Sequence, residues 1–322
     1  MISVAICTFN GEKYIRQQID SILCQTMQVD EIVICDDRSS DNTIAIVREI
    51  AANNPSIVFH IETNTSTLGV RMNFEKALNI CSGDIKFLSD QDDIWFPEKV
   101  EIIYNYFLSH SDISVVFSNA TFVDGNNSPI SKYTLFESIG LDDYGLDLYD
   151  SGFQLNIFVT AARVWGATMA IRKNVICNFD YPTVHYHDYI LAIEALLNNS
   201  LGYIKTPLMN YRLHESQQGG VGNAYFDPPR INIYDLGHID MSGYPCPQIL
   251  QEELNIRDLR YSFFKSGIRG IPKIIFNIGK YKKHYQSHWK KFVKADINRI
   301  ISHHKANKKK MNTPSWRNTP TV

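Results

Sequence analysis

The residues best suited to chemistry are three carboxylates within four positions, Asp90, Asp92 and Asp93, directly after the apolar segment 85–88. Three carboxylates so close together repel one another and lose hydration, so a cation usually accompanies them. Mg²⁺ and Mn²⁺ take oxygen ligands and need only one or two carboxylates when a substrate diphosphate supplies the rest. The run therefore predicts a clamp for a metal–nucleotide-diphosphate complex. The alternative is an acidic turn that caps a helix starting near Pro97.

Strands and helices alternate around this run. Apolar strands are predicted at 2–8, 31–37 and 57–61, and helical patterns at 12–23, from about 41 to 52, and within 69–80. This alternation predicts an α/β domain with a mostly parallel central sheet covered by helices on both faces. In such sheets ligands bind at the carboxyl ends of the strands. Residues 8–10, 36–37 and 90–93 all follow strand ends, so we expect them on one rim.

Three segments at these strand ends resemble the family 2 glycosyltransferases of the GT-A fold: TFNG at 8–11, VICDDRSSD at 33–41 and LSDQDDIW at 88–95. The resemblance continues in GATMA at 166–170, in HD at 187–188 and in YRLH at 211–214, and it covers roughly residues 1–220. The form of the acidic run is similar to bacterial polysaccharide-type members, often rhamnosyltransferases.

The resemblance implies a role for each matching position. The donor nucleotide would contact Thr8, Phe9, Asn10, Glu12, Gln91, Asp36 at the base and Asp90 at the ribose. Mn²⁺ or Mg²⁺ on the diphosphate would be held by Asp92, with Asp93 and His214 as further candidates. Asp188 matches the general base, where His187 replaces the glutamate that family members more often carry before it.

Transfer of a sugar to a hydroxyl group would itself require carboxylates and a metal site. An acceptor hydroxyl is a poor nucleophile, so a carboxylate must take its proton as it attacks the anomeric carbon. A divalent metal offsets the negative charge on the leaving nucleoside diphosphate. One base and one metal clamp fit single-displacement inversion, and no second nucleophile stands out for a retaining reaction.

Each of these side chains also has a simpler interpretation. Asp188 could be an N-cap acid, and His187 and His214 could be packing or surface histidines. Arg71 could pair with phosphate or be a solvated surface arginine, and Arg212 could form a salt bridge. Trp95 and His187 are candidates for acceptor contact or for tuning the base.

Composition favours an intracellular enzyme. The 322 residues are 44% hydrophobic, enough for one large α/β domain and an extension. The six cysteines show no CxxC pair, and no apolar run approaches the roughly 18 residues that cross a bilayer. The N-terminus leads directly into the first strand, so no signal peptide is expected. We therefore expect a cytoplasmic protein.

Charge is divided unevenly along the chain. Residues 1–254 contain 15 Lys and Arg and 32 Asp and Glu, a formal charge of −17, whereas residues 255–322 contain 17 and 2, a charge of +15. Aromatic residues between lysines suit an anionic membrane surface, so the sequence predicts peripheral attachment to the inner face of the cell membrane. Packing of this basic segment against the acidic body is the alternative. Nucleic acid is not an expected partner, because the acidic body would repel it.

The predicted domain organisation follows from these patterns. Residues 1–220 form the catalytic domain, with a donor half at about 1–95 and an acceptor half at about 96–220. Within it, the polar segment 126–152 is a candidate acceptor-side loop. Residues 221–254 are a loop region, either a lid over the donor or an ordered surface loop. Residues 255–311 form a basic helical extension, and 312–322 a disordered tail.

The sequence thus predicts a metal-dependent inverting glycosyltransferase. Its donor would be a nucleotide-diphospho-sugar such as dTDP-rhamnose or a UDP-sugar, and its acceptor a lipid-linked bacterial surface glycan. A nucleotidyltransferase is the same-fold alternative, but it would need a basic, glycine-rich loop where TFNG stands. A non-catalytic nucleotide-sugar-binding protein is the other alternative. A dehydrogenase is disfavoured because no GxGxxG follows the first strand.

Overall fold

The structure, a computed structural model, describes residues 1–138, 164–180, 186–215 and 269–280, with single residues and pairs of residues between and beyond these ranges. The chain divides into two compact units. The first comprises Met1–Ile231 with Ile239–Pro245, and the second comprises Asn232–His238 with Cys246–Val322. The predicted lid at 221–254, the predicted tail at 312–322 and most of the predicted basic extension lie outside the described residues.

One sheet organises the first unit. Its strands are β1 (Ile2–Thr8), β2 (Glu31–Asp36), β3 (Val58–Thr63), β4 (Ile85–Ser89), β5 (Ile94–Trp95), β6 (Val115–Val123), β7 (Met169–Arg172) and β8 (Leu201–Arg212). Among the described residues their order is β3-β2-β1-β4-β7-β6-β8-β5. β2 and β4 are buried along their whole length, and β1 nearly so, as expected for strands covered on both faces.

Helices flank the sheet. Their bounds are α1 (Ile15–Leu23), α2 (Thr43–Asn53), α3 (Gly69–Ile80), α4 (Lys99–Ser109), α5 (Leu135–Ser138), α6 (His187–Leu197) and, in the second unit, α7 (Gly270–Phe276). Within the first unit α3 packs against β1 and β2, while α4 and α6 contact β8. The α/β prediction is confirmed. In the part of the chain that the structure describes, no helix is long and apolar enough to cross a bilayer.

The sheet has a parallel half and a mixed half. β3, β2, β1 and β4 pair in parallel, as the alternation of strands and helices predicts. β7 then pairs antiparallel with both β4 and β6, whereas β6 pairs parallel with β8. The sequence pattern could not show this, because β7 has only four residues and follows no helix pattern. The parallel half brings the ends of β1, β2 and β4 to one edge, which we call the rim.

The first helix begins later than predicted. The pattern predicted a helix from Glu12, but α1 begins at Ile15. The backbone N–H groups of Tyr14 and Ile15 both donate to the Gly11 carbonyl, so residues 11–14 form a turn. This turn leaves the preceding polar residues on the rim.

Candidate active site

The ends of β1 and β2 are joined through a buried aspartate. Thr8 and Asp36 are register partners, and the Thr8 hydroxyl donates to Asp36 Oδ1 at 2.8 Å. The Ser39 backbone N–H donates to Asp36 Oδ2 at 2.9 Å, and the Ser39 hydroxyl donates to Oδ1. Because Asp36 is fully buried, its carboxylate here supports the loop after β2. The predicted contact of Asp36 with the base of the donor nucleotide stays a prediction.

Asn10 and Glu12 connect the same two loops at the surface. Asn10 has a φ of 49°, and its Oδ1 accepts from the Ser40 backbone N–H at 2.8 Å. Glu12 Oε2 accepts from the backbone N–H and the side-chain amide of Asn42, at 2.9 and 2.8 Å. Both side chains therefore lie on the rim and shape it through hydrogen bonds between loops.

Gln91 connects the end of β1 to the acidic loop, residues 90–93. Its Oε1 accepts from the Phe9 backbone N–H at 2.9 Å, and its Nε2 donates to the Phe9 carbonyl at 3.0 Å. A Cβ on Gly11 would lie 2.2 Å from Gln91 Oε1, so a larger residue there would displace this amide. The two segments predicted to share a ligand are thus held against each other.

Asp37 is a rim residue to which the sequence analysis gave no role of its own. Its carboxylate accepts from the backbone N–H groups of Leu68 and Gly69, at 2.7 and 2.9 Å, and from the Asn64 amide at 3.0 Å. These three hydrogen bonds lower the pKa of Asp37 against the opposing effect of burial. They also place the first turn of α3, with the half-buried Arg71, beside the rim.

The three carboxylates of the acidic loop are close enough to disfavour full ionisation. Burial, and then the charges of Asp92 and Asp188, raises the pKa of Asp90 to about 7. Burial and the charges of Asp92 and Asp90 raise the pKa of Asp93 well above its ordinary value. Asp93 Oδ2 is buried and has no hydrogen-bond partner among the described residues. A cation at this loop would reduce the repulsion between the carboxylates and would give the Asp93 oxygen a partner.

His214 faces the acidic loop from just beyond the end of β8. Its Nε2 lies 2.8 Å from Asp92 Oδ2, and its ring packs against Tyr14 with the centroids 4.6 Å apart and the rings tilted by 45°. Imidazole nitrogen and carboxylate oxygen are both ligands that Mn²⁺ accepts. In the described ranges no group of three His, Cys, Asp or Glu side chains has the geometry of a metal site. The predicted metal site at Asp92, Asp93 and His214 stays a prediction.

Arg212 is the side chain that holds the acidic loop in place. It is 1% exposed, and its Nε donates to the Asp92 carbonyl at 2.5 Å. Its other nitrogens donate to Gln17 Oε1 at 2.7 Å and to Asn127 Oδ1. Its backbone N–H donates to Asp93 Oδ1 at 3.0 Å. Sequence reasoning offered only a salt bridge for Arg212, because these partners come from three separate segments.

Asp188 lies in the first turn of α6, half-buried and hydrogen-bonded to backbone. Its Oδ2 accepts from the Gly166 N–H at 3.0 Å and its Oδ1 from the Tyr189 N–H at 2.7 Å. Burial raises the pKa of Asp188 to about 6, against the opposing effect of these hydrogen bonds. The charge of Asp188 also raises the pKa of Asp90. The turn Gly166–Thr168, which donates to Asp188, contacts β4, the strand that leads into the acidic loop, and the role of Asp188 as general base stays a prediction.

His187 points into the protein, away from solvent. Its ring stacks on Phe74 with centroids 4.2 Å apart, and burial lowers the pKa of His187 to about 3, so the ring is neutral. A Cβ on Gly166 would lie 2.5 Å from His187 Nε2, so a larger residue there would displace the His187 ring. His187 therefore packs under the residue that donates to Asp188, and its tuning of the base stays a prediction.

Trp95 is also buried, with 3% of its surface exposed. Its ring packs at 5.6 Å from Phe87, and Lys99 Nζ lies 4.1 Å from its centroid. Its predicted contact with an acceptor stays a prediction. Lys99, which sequence reasoning missed, is fully buried, and burial lowers its pKa to about 7 although Asp93 and Asp90 act to raise it.

Comparison with known proteins places this site in a family. Residues 3–178 match the family described as glycosyl transferase family 2. The chain is 28% identical over 249 residues, 73% of its length and 90% of the relative's, to WfgD of Escherichia coli, a UDP-Glc:α-D-GlcNAc-diphosphoundecaprenol β-1,3-glucosyltransferase. It is 29% identical over 233 residues, 68% of its length and 75% of the relative's, to the dTDP-rhamnosyl transferase RfbG of Shigella flexneri.

Solved structures agree on the fold. The structure of S. aureus TarS residues 1–349 in complex with UDP-GlcNAc aligns with this chain at a TM-score of 0.56 and 16% identity. The alignment covers 95% of this chain and 92% of the TarS chain. The prediction of a GT-A fold is thereby confirmed. The family match favours a glycosyltransferase over the nucleotidyltransferase alternative. The chain belongs to the family 2 glycosyltransferases, enzymes that take their sugar from a nucleotide-sugar donor.

Proposed function

We propose that this glycosyltransferase works by metal-dependent inversion, moving a sugar from a nucleoside-diphospho-sugar to a hydroxyl group of a lipid-linked glycan. The observation that carries the proposal is the approach of Asp188 to the acidic loop. The turn that donates to Asp188 contacts β4, and β4 leads into the acidic loop, where Asp92 pairs with His214 from beyond the end of β8. A base and an anion-neutralising group at one site are the two parts that the reaction requires.

Asp188 is suited to accept the proton of the acceptor hydroxyl. A pKa of about 6 leaves it ionised near neutral pH, yet makes it a stronger base than an ordinary aspartate. The hydrogen bonds from the Gly166 and Tyr189 N–H groups fix the orientation of its oxygens. The acceptor oxygen would then attack the anomeric carbon from the face opposite the leaving diphosphate, which inverts the configuration.

Asp92 and His214 would hold the metal, with Asp93 behind them. The partnerless Oδ2 of Asp93 and the facing oxygen and nitrogen of the Asp92–His214 pair fit a divalent cation. When bound, Mn²⁺ or Mg²⁺ offsets the negative charge that grows on the leaving diphosphate. The mixed oxygen and nitrogen ligand set favours Mn²⁺ over Mg²⁺.

The names of the two relatives support the choice of substrates. WfgD is named for UDP-Glc and for an acceptor on diphosphoundecaprenol, and RfbG for dTDP-rhamnose. We infer a pyrimidine nucleotide donor and a lipid-linked acceptor for this chain.

Nucleotide binding tests the proposal directly. We expect UDP or dTDP together with Mn²⁺ to raise the melting temperature more than nucleotide or metal alone, because the ternary complex forms only with the folded protein. GDP serves as the comparison nucleotide, and Asp92→Asn as the variant that should lose the Mn²⁺ dependence. The proposal fails if no nucleoside diphosphate shifts the melting temperature with or without metal.

The same proposal places the enzyme at the inner face of the cell membrane, through its basic C-terminal segment. In the described part of this segment, α7 exposes Ile275 and Phe276 beside Lys273. Apolar and basic side chains together suit an anionic bilayer surface.

Vesicle co-sedimentation tests this location. We expect the full chain to bind anionic vesicles and to be released as salt rises, since the Debye length shortens from about 10 Å at 0.1 M salt. A chain that ends at Leu254 should lose vesicle binding while its donor binding remains. Equal binding of the two proteins to vesicles, or loss of folding on truncation, would make the segment structural instead.

A further inference from the structure

Lys99 is a buried lysine that has no part in the reaction described above. It begins α4 and is fully buried, and its Nζ donates to the Ala167 carbonyl at 2.8 Å. The same nitrogen lies 4.1 Å from the Trp95 ring centroid and 3.3 Å from Met209 Sδ. A lysine loses hydration when buried, so this position has a cost in free energy that an apolar side chain would not have.

The partner of Lys99 belongs to the turn that orients Asp188. Gly166–Thr168 form one 3-10 turn, which we call the base turn. Its first residue donates its N–H to Asp188 Oδ2 at 3.0 Å, and its second residue gives its carbonyl to Lys99. The Lys99 ammonium and the Asp188 carboxylate thus bind neighbouring residues of the base turn. The Ala167 carbonyl and the Gly166 N–H belong to peptide units separated by one peptide, so a shift of the carbonyl would be transmitted through that peptide of the short turn to the Gly166 N–H.

The rest of the base turn does not make this bond redundant. Thr168 holds the turn from its other end, where its N–H and hydroxyl both donate to the Trp165 carbonyl, at 2.9 and 2.7 Å. His187 packs against Gly166 from below. Neither contact fixes the Ala167 carbonyl, which would otherwise be a buried acceptor and would turn toward water.

We propose that Lys99 is a positioning residue for the reaction, holding the base turn so that the Gly166 N–H orients the carboxylate of Asp188. This inference depends on the proposed role of Asp188 as general base. It assigns to a residue of α4 an effect on proton transfer without contact with either substrate.

The chain offers a matched control in Lys86. This lysine is also buried, and its Nζ donates at 2.7 Å to the backbone carbonyl of Leu78, in α3. It differs from Lys99 because its carbonyl partner does not belong to the base turn. Lys99→Met and Lys86→Met therefore remove the same kind of bond, and methionine keeps a similar length without the charge.

The experiment compares steady-state kinetics of the two variants across pH. For Lys99→Met we expect kcat to fall by about tenfold to a hundredfold with little change in the KM for the donor, since transition-state geometry is lost while donor binding remains. The acid limb of its kcat profile should move to higher pH, because the Gly166 N–H no longer favours the ionised form of Asp188. Lys86→Met should keep the wild-type kcat and the wild-type pH limb.

Three results would overturn the proposal. If Lys99→Met folds and has the wild-type kcat and an unmoved acid limb, the bond from Lys99 to Ala167 does not position Asp188. An equal fall in kcat for Lys86→Met would make the effect a general loss of packing. If Lys99→Met does not fold, Lys99→Leu, which likewise lacks an N–H donor, replaces it, and failure of both to fold would make Lys99 a residue of stability.

A parallel measurement on Asp188→Asn separates this inference from the proposed function. Near-normal turnover of Asp188→Asn would refute the base assignment itself. An inactive Asp188→Asn beside an unaffected Lys99→Met would refute only the role of Lys99.

Discussion

Replacing Asp188 by asparagine should lower activity and raise stability at the same time. The pKa of this carboxyl is raised from 3.8 to about 6 by burial in the folded protein. The folded state therefore binds a proton more tightly than the unfolded state, and the wild type loses stability as pH rises from 3.8 to 6. A shift of about two pKa units corresponds to about 3 kcal/mol of unfolding free energy, lost in full above pH 6.

Asparagine cannot ionise, so Asp188→Asn avoids this loss. It keeps one acceptor oxygen and presents an amide to the other N–H donor, either Gly166 or Tyr189, at a cost of about 1 kcal/mol. We therefore expect the variant to be about 2 kcal/mol more stable than the wild type at pH 8. Below pH 4 the advantage should vanish, because Asp188 is then protonated in both states.

Activity should change in the opposite direction. In the wild type, kcat should rise by about tenfold from pH 5 to pH 7 as Asp188 ionises near pH 6. In Asp188→Asn, turnover should fall by about a hundredfold or more, because no group accepts the proton of the acceptor hydroxyl. Donor affinity should be unchanged.

Urea unfolding and steady-state kinetics, both measured from pH 4 to pH 8, would test this pair of effects. Asp20→Asn, at an exposed position of α1, is the control for the loss of one carboxylate. The reasoning would be refuted if Asp188→Asn were no more stable than the wild type at pH 8, or if its turnover with saturating acceptor stayed near normal.

The other predictions concern the acidic loop and the base turn. Asp92→Asn should weaken binding of UDP or dTDP in Mn²⁺ by about tenfold or more while the protein stays folded, and unchanged titration curves would contradict the metal assignment. Arg212→Lys keeps the charge but loses the guanidinium N–H donors that join three other segments to β8, so the free energy of unfolding in urea should fall by about 2–4 kcal/mol. A fall below about 1 kcal/mol would contradict the role of Arg212 in holding the acidic loop. Gly166→Ala should lower kcat, because its Cβ would lie 2.5 Å from His187 Nε2, and adding His187→Ala should restore part of it; a double variant no more active than the single one would contradict this steric cause.

Local sequence patterns were sufficient for the parallel half of the fold and for the rim. β1, β2 and β4 are short apolar runs that end in polar residues, and parallel strands bring such ends to one edge whatever the rest of the chain does. This is why residues 8–10, 36–37 and 90–93 could be placed together. The antiparallel insertion of β7 between β4 and β6 was not predicted, since four residues carry no pairing information.

Sequence alone determined which residue types were available for chemistry, namely the acidic loop, the aspartate that opens α6 and the histidine after β8. Tertiary structure decided what those side chains do in the fold. It directed His187 into the core and buried Asp36 against Thr8 and Ser39. It also brought Lys99 to the base turn. The physical reason is that burial and backbone hydrogen bonds act between segments far apart in the chain, which spacing within one segment cannot encode.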